Sequence, residues 1–182
     1  ATLDAWLPTA NYPALHSAEA LVAPAAPASP RVLHGLATRA HLLASLQRWQ
    51  AAHDQLQTLV LLQPQRAAHW FNLGFVCAQM DRHTAAQAAF ERALALNPRM
   101  DAAWFGLGLA LSAQACWLQA EQAWTRQVTL QPWCPDGLEQ LVRLHQRCGE
   151  HDRAAERLTQ LRQFDPKRAM ALEPTMRRAA AA

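Results

Sequence analysis

A period of 34 residues runs through most of this 182-residue chain, and it restricts the fold more than any other feature. The period is marked by four prolines in the same register: Pro64, Pro98, Pro132 and Pro166. Alanines recur in step at Ala52, Ala86, Ala120 and Ala154. Large apolar residues recur at Leu56, Phe90, Trp124 and Leu158. Because several columns agree at one spacing, the sequence predicts a stack of similar supersecondary units.

Each unit has the apolar spacing of two helices. In one unit, Trp70, Leu73 and Cys77 fall at i, i+3 and i+7, which places them on one face of a helix. A second stripe follows at Ala86, Phe90 and Ala93. Proline lacks an N–H and disfavours helix in the residue before it, so each repeat proline predicts the end of a second helix. Glycine is scarce, with 6 residues, and the composition favours an all-α protein.

These columns resemble the tetratricopeptide repeat, a helix-turn-helix motif. The match in the second unit comprises Trp70, Leu73, Gly74, Ala86, Phe90, Ala93 and Pro98. The other units depart from the pattern at Arg39, Gln127 and Val142. The resemblance covers residues 33–166. It implies a right-handed α-solenoid of helix-turn-helix units, with about eight repeat helices and a C-terminal capping helix.

The predicted organisation has three parts. Residues 1–30 form an N-terminal arm rich in proline and alanine, residues 31–166 hold the repeats, and residues 167–182 form a capping helix interrupted at Pro174. The four predicted repeats span residues 33–64, 67–98, 101–132 and 135–166. Each helix pair leaves an apolar face that only the next pair covers, so the units are expected to stack.

The resemblance also implies a concave groove lined by the first helix of each unit. The groove residues it assigns here are His41, Phe71, Asn72, Phe75, Gln79, Phe105, Leu109, Glu139 and Arg143. The middle of this groove is apolar, and exposing each large apolar side chain forgoes roughly 1.5–3 kcal/mol, so such a patch usually marks an interaction site. Packing between repeats would cover the same side chains, which is the alternative. Some relatives clamp a carboxylate with lysines, arginine and asparagines, but only Asn72 matches that clamp.

The predicted arm combines prolines with side chains that are unusually apolar for a solvated tail. Its candidate docking residues are Trp6, Leu7, Tyr12 and Leu15. We expect the arm to dock in the groove of its own chain, along an edge of the solenoid, or on a partner chain. An extended arm that is ordered by packing alone is the alternative.

Several functions are disfavoured by composition and spacing. The net charge is +3 and the basic residues are interspersed with acidic ones, which argues against nucleic-acid binding. No apolar run approaches the ~18 residues that span a bilayer, so no membrane insertion is expected. The four cysteines show no CxxC pair, which favours reduced thiols in the cytoplasm. An exported chain whose signal has been removed would fit the same sequence.

Catalytic and metal-binding motifs are also lacking in the sequence. It contains no glycine-rich phosphate loop and no recognisable nucleophile motif, so we predict neither an enzyme nor a cofactor. His34 and His41 are two helical turns, or ~10 Å, apart. His145, Cys148 and His151 are expected to be separated by a helix end at Gly149, so no metal site is predicted.

The predicted function is therefore that of a non-catalytic adaptor, scaffold or subunit of a larger complex. It would bind an apolar or amphipathic segment of a protein or peptide partner in the groove, with assembly into a homo-oligomer left open. Two alternatives remain at this stage. One is a secretion-type or assembly chaperone that holds an unfolded client, and the other is a regulatory subunit of an enzyme.

Overall fold

The computed structural model describes residues 29–179, with side chains described for residues 29–173. This part of the chain contains no strand and forms nine α-helices: α1 (Pro30–Ser45), α2 (Trp49–Leu62), α3 (Ala67–Gln79), α4 (His83–Leu96), α5 (Asp101–Ala113), α6 (Trp117–Leu130), α7 (Pro135–Arg147), α8 (His151–Phe164) and α9 (Pro166–Ala179). The helices fall into four sequential pairs and a ninth helix. The fold is an all-α helical repeat, as the 34-residue period predicts.

The second helix of every pair ends two residues before a repeat proline. These last residues are Leu62, Leu96, Leu130 and Phe164. The residue that follows the helix still donates its N–H to the carbonyl four residues back, as Gln63 does to Leu59 at 2.8 Å. Pro166 has a second role, because it is also the first residue of α9. At that position a missing N–H costs no hydrogen bond.

The turn inside every helix pair holds one residue in the left-handed region of backbone conformation. These residues are again 34 apart: Gln47, Asp81, Ala115 and Gly149. The next residue donates its N–H to the carbonyl five residues back, as Arg82 does to Cys77 at 2.9 Å, which is the Schellman pattern. Only the fourth turn uses glycine. The side chain in each of the other three turns costs about 1–2 kcal/mol in this conformation.

The first helices of the pairs lie on the inner side of the stack. Each helix packs on the next one along the chain, and α3 also contacts α5 while α7 contacts α9. Those extra contacts skip the helix between, so α3 and α5 lie close to each other, as do α7 and α9. The surface that the first helices share is called the inner face below.

Close approach in the middle of the stack depends on glycines beneath an aromatic ring. Phe90 of α4 is 2% exposed and lies against α3 and α5. A Cβ on Gly74 would lie 2.7 Å from Phe90 Cδ1, and a Cβ on Gly106 would lie 2.5 Å from Phe90 Cζ. Both distances are shorter than van der Waals contact, so the ring fits only because these residues have no side chain.

The two ends of the described stack differ. At the C-terminal end, Ala169 and Leu172 of α9 are buried against an apolar cluster of α7 and α8 that comprises Leu138, Val142, Leu158 and Leu161. At the other end, Val32 and Leu42 of α1 are exposed, as is Leu46, the residue that follows the helix. Within the described residues, only one end of the stack is covered by an additional helix.

Two sequence expectations need correction. The spacing places Trp70 on the same helix face as the buried Leu73 and Cys77, but Trp70 is only half-buried, and its indole N–H donates to the Pro64 carbonyl at 2.8 Å. Helix α9 runs through Pro174, where the sequence predicts an interruption. Helix α1 begins at Pro30, the last residue of the predicted arm, and α9 begins at Pro166, the last residue of the predicted fourth repeat.

No helix within the described range is both long enough and apolar enough to cross a membrane.

Candidate functional site

Two of the predicted groove residues are buried by packing between repeats. Phe71 is 6% exposed, with its ring centroid 5.9 Å from that of Phe90, and Asn72 is fully buried. Helix α3, which carries both residues, packs against α2, α4 and α5, so more of its circumference is covered than the resemblance implies. Phe71 and Asn72 therefore offer little surface on which a partner segment could lie.

Three other apolar groove residues retain exposed surface on consecutive inner helices. Phe75 of α3 is half-buried and meets the edge of Trp49, with ring centroids 6.3 Å apart. On α5, Phe105 is half-buried and Leu109 is 40% exposed. We call Phe75, Phe105 and Leu109 the apolar row. Phe75 and Leu109 occupy equivalent positions of neighbouring repeats, 34 residues apart, so the row crosses from one repeat to the next.

The charged groove residues lie at the C-terminal end of the inner face and form ion pairs. Arg143 donates to Glu139 Oε1 through Nε at 3.2 Å and Nη2 at 2.8 Å. Arg168 of α9 reaches Asp136 at 2.5 Å and Glu139 at 3.4 Å. The hydrogen bond to Asp136 is the main reason that the pKa of Arg168 is raised. Both carboxylates at the start of α7 are thus engaged by arginines.

The remaining predicted residues have different positions. His41 on α1 is half-buried and Gln79, the last residue of α3, is exposed. The docking residues predicted in the arm, at positions 6, 7, 12 and 15, lie outside the described residues. Docking of the arm therefore remains a prediction.

A ring column at the start of the second helices was not recognised from the sequence. It consists of the first residues of α2, α4, α6 and α8: Trp49, His83, Trp117 and His151. The guanidinium of Arg147 lies over the ring of Trp117, with Cζ 4.4 Å from the ring centroid. The column recurs every 34 residues, and Arg147 lies two repeats after the groove residue Gln79, so the spacing alone could have revealed the column.

Two clefts border these features. The smaller, of about 290 Å³, lies between the C-terminal halves of α5 and α7 and the start of α6, and Trp117, Arg143 and Arg147 are among its lining residues. The larger, of about 610 Å³, is lined by residues of α5, α6 and α8, including Trp104 and the 69% exposed Leu118. The smaller cleft includes groove positions, whereas the larger contains none of the predicted groove residues.

His145, which the sequence places near Cys148 and His151, has a structural role. His145 is buried, and its Nδ1 lies 2.7 Å from Glu150 Oε2 in the turn before α8. This hydrogen bond is the main cause of the lowered pKa of Glu150. Arg153 bridges Glu150 and Glu121, which ties α8 to α6. Among the described residues, no group of three or more His, Cys, Asp and Glu side chains is placed to hold a metal ion.

Two buried titratable groups on α3 belong to the packing beneath the inner face. His69 is fully buried, its Nε2 lies 2.8 Å from Gln63 Oε1, and burial lowers its pKa to about 3. Cys77 is also fully buried, and burial raises the pKa of its thiol to about 11. Neither group reaches the surface on which a partner would bind.

Comparison with known proteins places the fold. Residues 70–100 match the family model of the tetratricopeptide repeat, while no curated protein matches the chain in sequence. The crystal structure of MamA superposes with a TM-score of 0.73 at 22% identity, covering 79% of this chain and 84% of MamA. MamA from residue 41 to its end, from Desulfovibrio magneticus RS-1, gives 0.69 at 23% identity, covering 72% and 74%.

A third similar structure is YrrB, described as a TPR protein with an unusual peptide-binding site. It gives a TM-score of 0.66 at 17% identity, covering 80% of this chain and 85% of YrrB. At these identities the likeness concerns the fold. One stretch of the chain, residues 70–100, thus matches a tetratricopeptide repeat, and the likeness of the remaining helices to MamA and YrrB is one of fold.

Proposed function

We propose that this chain is a non-catalytic adaptor that binds an apolar or amphipathic segment of a partner protein on its inner face. The observation that carries the proposal is the apolar row, which keeps large side chains partly exposed on two consecutive inner helices. Covering a large apolar side chain is worth roughly 1.5–3 kcal/mol, so a partner segment that buries the row gains affinity at each position.

Rigid positioning of the row supports the same role. The ring of Phe75 is held by Trp49, and the backbones of α3 and α5 are held by the glycine contacts with Phe90. A surface that is already ordered loses little conformational freedom when it binds. YrrB shows that a protein of this fold can carry a peptide-binding site, although its 17% identity makes the comparison one of architecture.

Two other roles involve the same surface and differ in the state of the partner. A secretion-type or assembly chaperone would hold an unfolded client, and a regulatory subunit would hold a folded enzyme. The exposed apolar row supports binding by an adaptor, a chaperone or a regulatory subunit. Identification of the bound partner would distinguish these three roles.

The test compares partner recovery by charged variants on the two sides of the stack. Phe105→Glu/Leu109→Glu places carboxylates in the row, and Leu118→Glu is the matched control on α6, outside the row. We expect the row variant to lose at least tenfold of the recovered partner, because each lost contact is worth roughly 1.5–3 kcal/mol. The control should recover as much as wild type.

Circular dichroism of the variants separates lost binding from lost folding. Phe71→Glu is unsuitable for this test, because Phe71 is buried and its charge would unfold the repeat. Equal recovery by a folded row variant and by wild type would show that the inner face is not the binding surface.

A further inference from the structure

The smaller cleft adds a charged site at the C-terminal end of the inner face. Its apolar wall is formed by Trp117 and Leu144, and its polar lining includes Ser112, Gln140, Arg143 and Arg147. A volume of about 290 Å³ is at the lower limit of pockets for small molecules, and it suits one or two protein side chains. The lining therefore indicates a place for part of a partner segment rather than for a cofactor.

The two arginines that line this cleft differ in their partners. Arg143 forms an ion pair with Glu139 at 2.8 Å. Arg147 stacks on Trp117 and pairs with no carboxylate in the described part of the chain. Among the described residues, no carboxylate therefore balances the charge of this guanidinium.

Stacking on the indole prepares Arg147 for a ligand. The ring holds the guanidinium plane, so less side-chain freedom is lost when a second group binds, and the N–H donors at its edge remain available. A carboxylate matches these donors and forms charge-assisted hydrogen bonds that are roughly twice as strong as neutral ones. The dipole of α7 also stabilises a cation at its last residue, and this stabilisation would be present without the cleft.

We propose that this cleft binds the side-chain carboxylate of an aspartate or glutamate in the partner segment. The proposal rests on the proposed function, since the same segment would place its apolar side chains on the apolar row. Packed helices typically lie about 10 Å apart, so we expect a segment crossing from α5 to α7 to need about three residues of extended chain. An acidic residue about three positions from an apolar anchor on Leu109 would therefore reach Arg147.

The test is a peptide-display selection against immobilised full-length protein. A random 16-residue library is presented once as an internal fusion, without a free carboxyl terminus, and once with a free carboxyl terminus. Selections use wild type, Arg147→Gln, Phe105→Glu/Leu109→Glu, and the control Arg126→Gln, which changes an exposed arginine of α6 outside this cleft. Circular dichroism confirms that each variant is folded.

We expect wild type and Arg126→Gln to enrich an apolar anchor followed or preceded at about three residues by Asp or Glu. Arg147→Gln should keep the apolar anchor and lose the acidic preference, and a selected peptide should bind it about tenfold more weakly. Replacing the acidic residue of that peptide by its amide should remove the difference between wild type and Arg147→Gln.

The outcomes separate this site from the adaptor role. Enrichment of apolar anchors without an acidic preference would overturn the carboxylate site and leave the proposed function standing. Enrichment of acid only at a free carboxyl terminus would overturn the assignment to a side chain. Failure of wild type to enrich any motif relative to the row variant would overturn both proposals.

Discussion

Acidification should destabilise the fold through His69, and the size of the effect follows from its burial. The imidazole is fully buried on α3, with Nε2 2.8 Å from Gln63 Oε1. The amide oxygen accepts, so Nε2 carries a proton and donates it to this hydrogen bond. Burial, together with the charge of Arg66, lowers the pKa of His69 from 6.5 to about 3. The folded protein therefore resists protonation at a site that the unfolded chain protonates readily.

The sign and the pH window follow from linkage. The unfolded state binds a proton as the pH falls below 6.5 and the folded state binds it only near pH 3, so stability decreases between these values. Between pH 7.5 and pH 5, binding of this proton stabilises the unfolded state by about 2 kcal/mol relative to the folded state. The figure is set by the unfolded pKa and changes little for any folded pKa below about 4.

Urea unfolding followed by circular dichroism at pH 7.5 and 5.0 measures this loss. His69→Gln removes the titration and keeps a donor for Gln63, while His34→Gln removes an exposed histidine as the matched control. Apart from the substituted histidines, the titrating groups are the same in wild type and both variants, so their contribution to the change in free energy of unfolding cancels in the comparison. The free energy of unfolding of wild type and of the control should fall by about 2 kcal/mol more than that of His69→Gln. Parallel losses in all three proteins would refute the assignment of a depressed pKa to His69.

Three further predictions concern packing, thiol reactivity and the arm. Gly35→Ala should raise the free energy of unfolding by about 0.5–1 kcal/mol, because nothing lies within 4 Å of its Cβ. Gly74→Ala should lower the free energy of unfolding by about 1–3 kcal/mol, because its Cβ would overlap the ring of Phe90. Urea titrations in which Gly35→Ala and Gly74→Ala shift the free energy of unfolding in the same direction would contradict this packing. At pH 8, Cys77 in the folded protein should react with a disulfide reagent at least about 100-fold more slowly than the exposed Cys148, and comparable rates would contradict its burial. If the arm docks on this chain, deleting residues 1–28 should lower the melting temperature or increase the binding of an apolar dye, and no change in either would count against docking.

The repeat boundaries could be predicted from the sequence because they depend on local chemistry. A proline disfavours helix in the residue before it, and the apolar spacing within one helix requires no knowledge of its neighbours. For this reason the four pairs appear where Pro64 and its equivalents place them. Pro174 is the exception, since α9 continues through it.

The candidate site was less predictable because it depends on how neighbouring repeats pack. Trp70 and Phe71 are adjacent and both aromatic, so the sequence cannot tell which of them faces the next repeat. Packing buries Phe71 and leaves Trp70 at the edge, the reverse of the expected order. The contact between Arg147 and Trp117 joins residues 30 positions apart, and no helical period links them.

The position of the Phe90 ring between α3 and α5 has a mechanical consequence. Because this ring occupies the gap between α3 and α5, any change in the angle between the second and third repeats must either move the ring or separate both helices from it. Close-packed protein interiors resist such deformation. Under a stretching force the outer repeats should therefore peel away first, while the central two retain their relative orientation and so keep the curvature across which Phe75 and Leu109 are displayed.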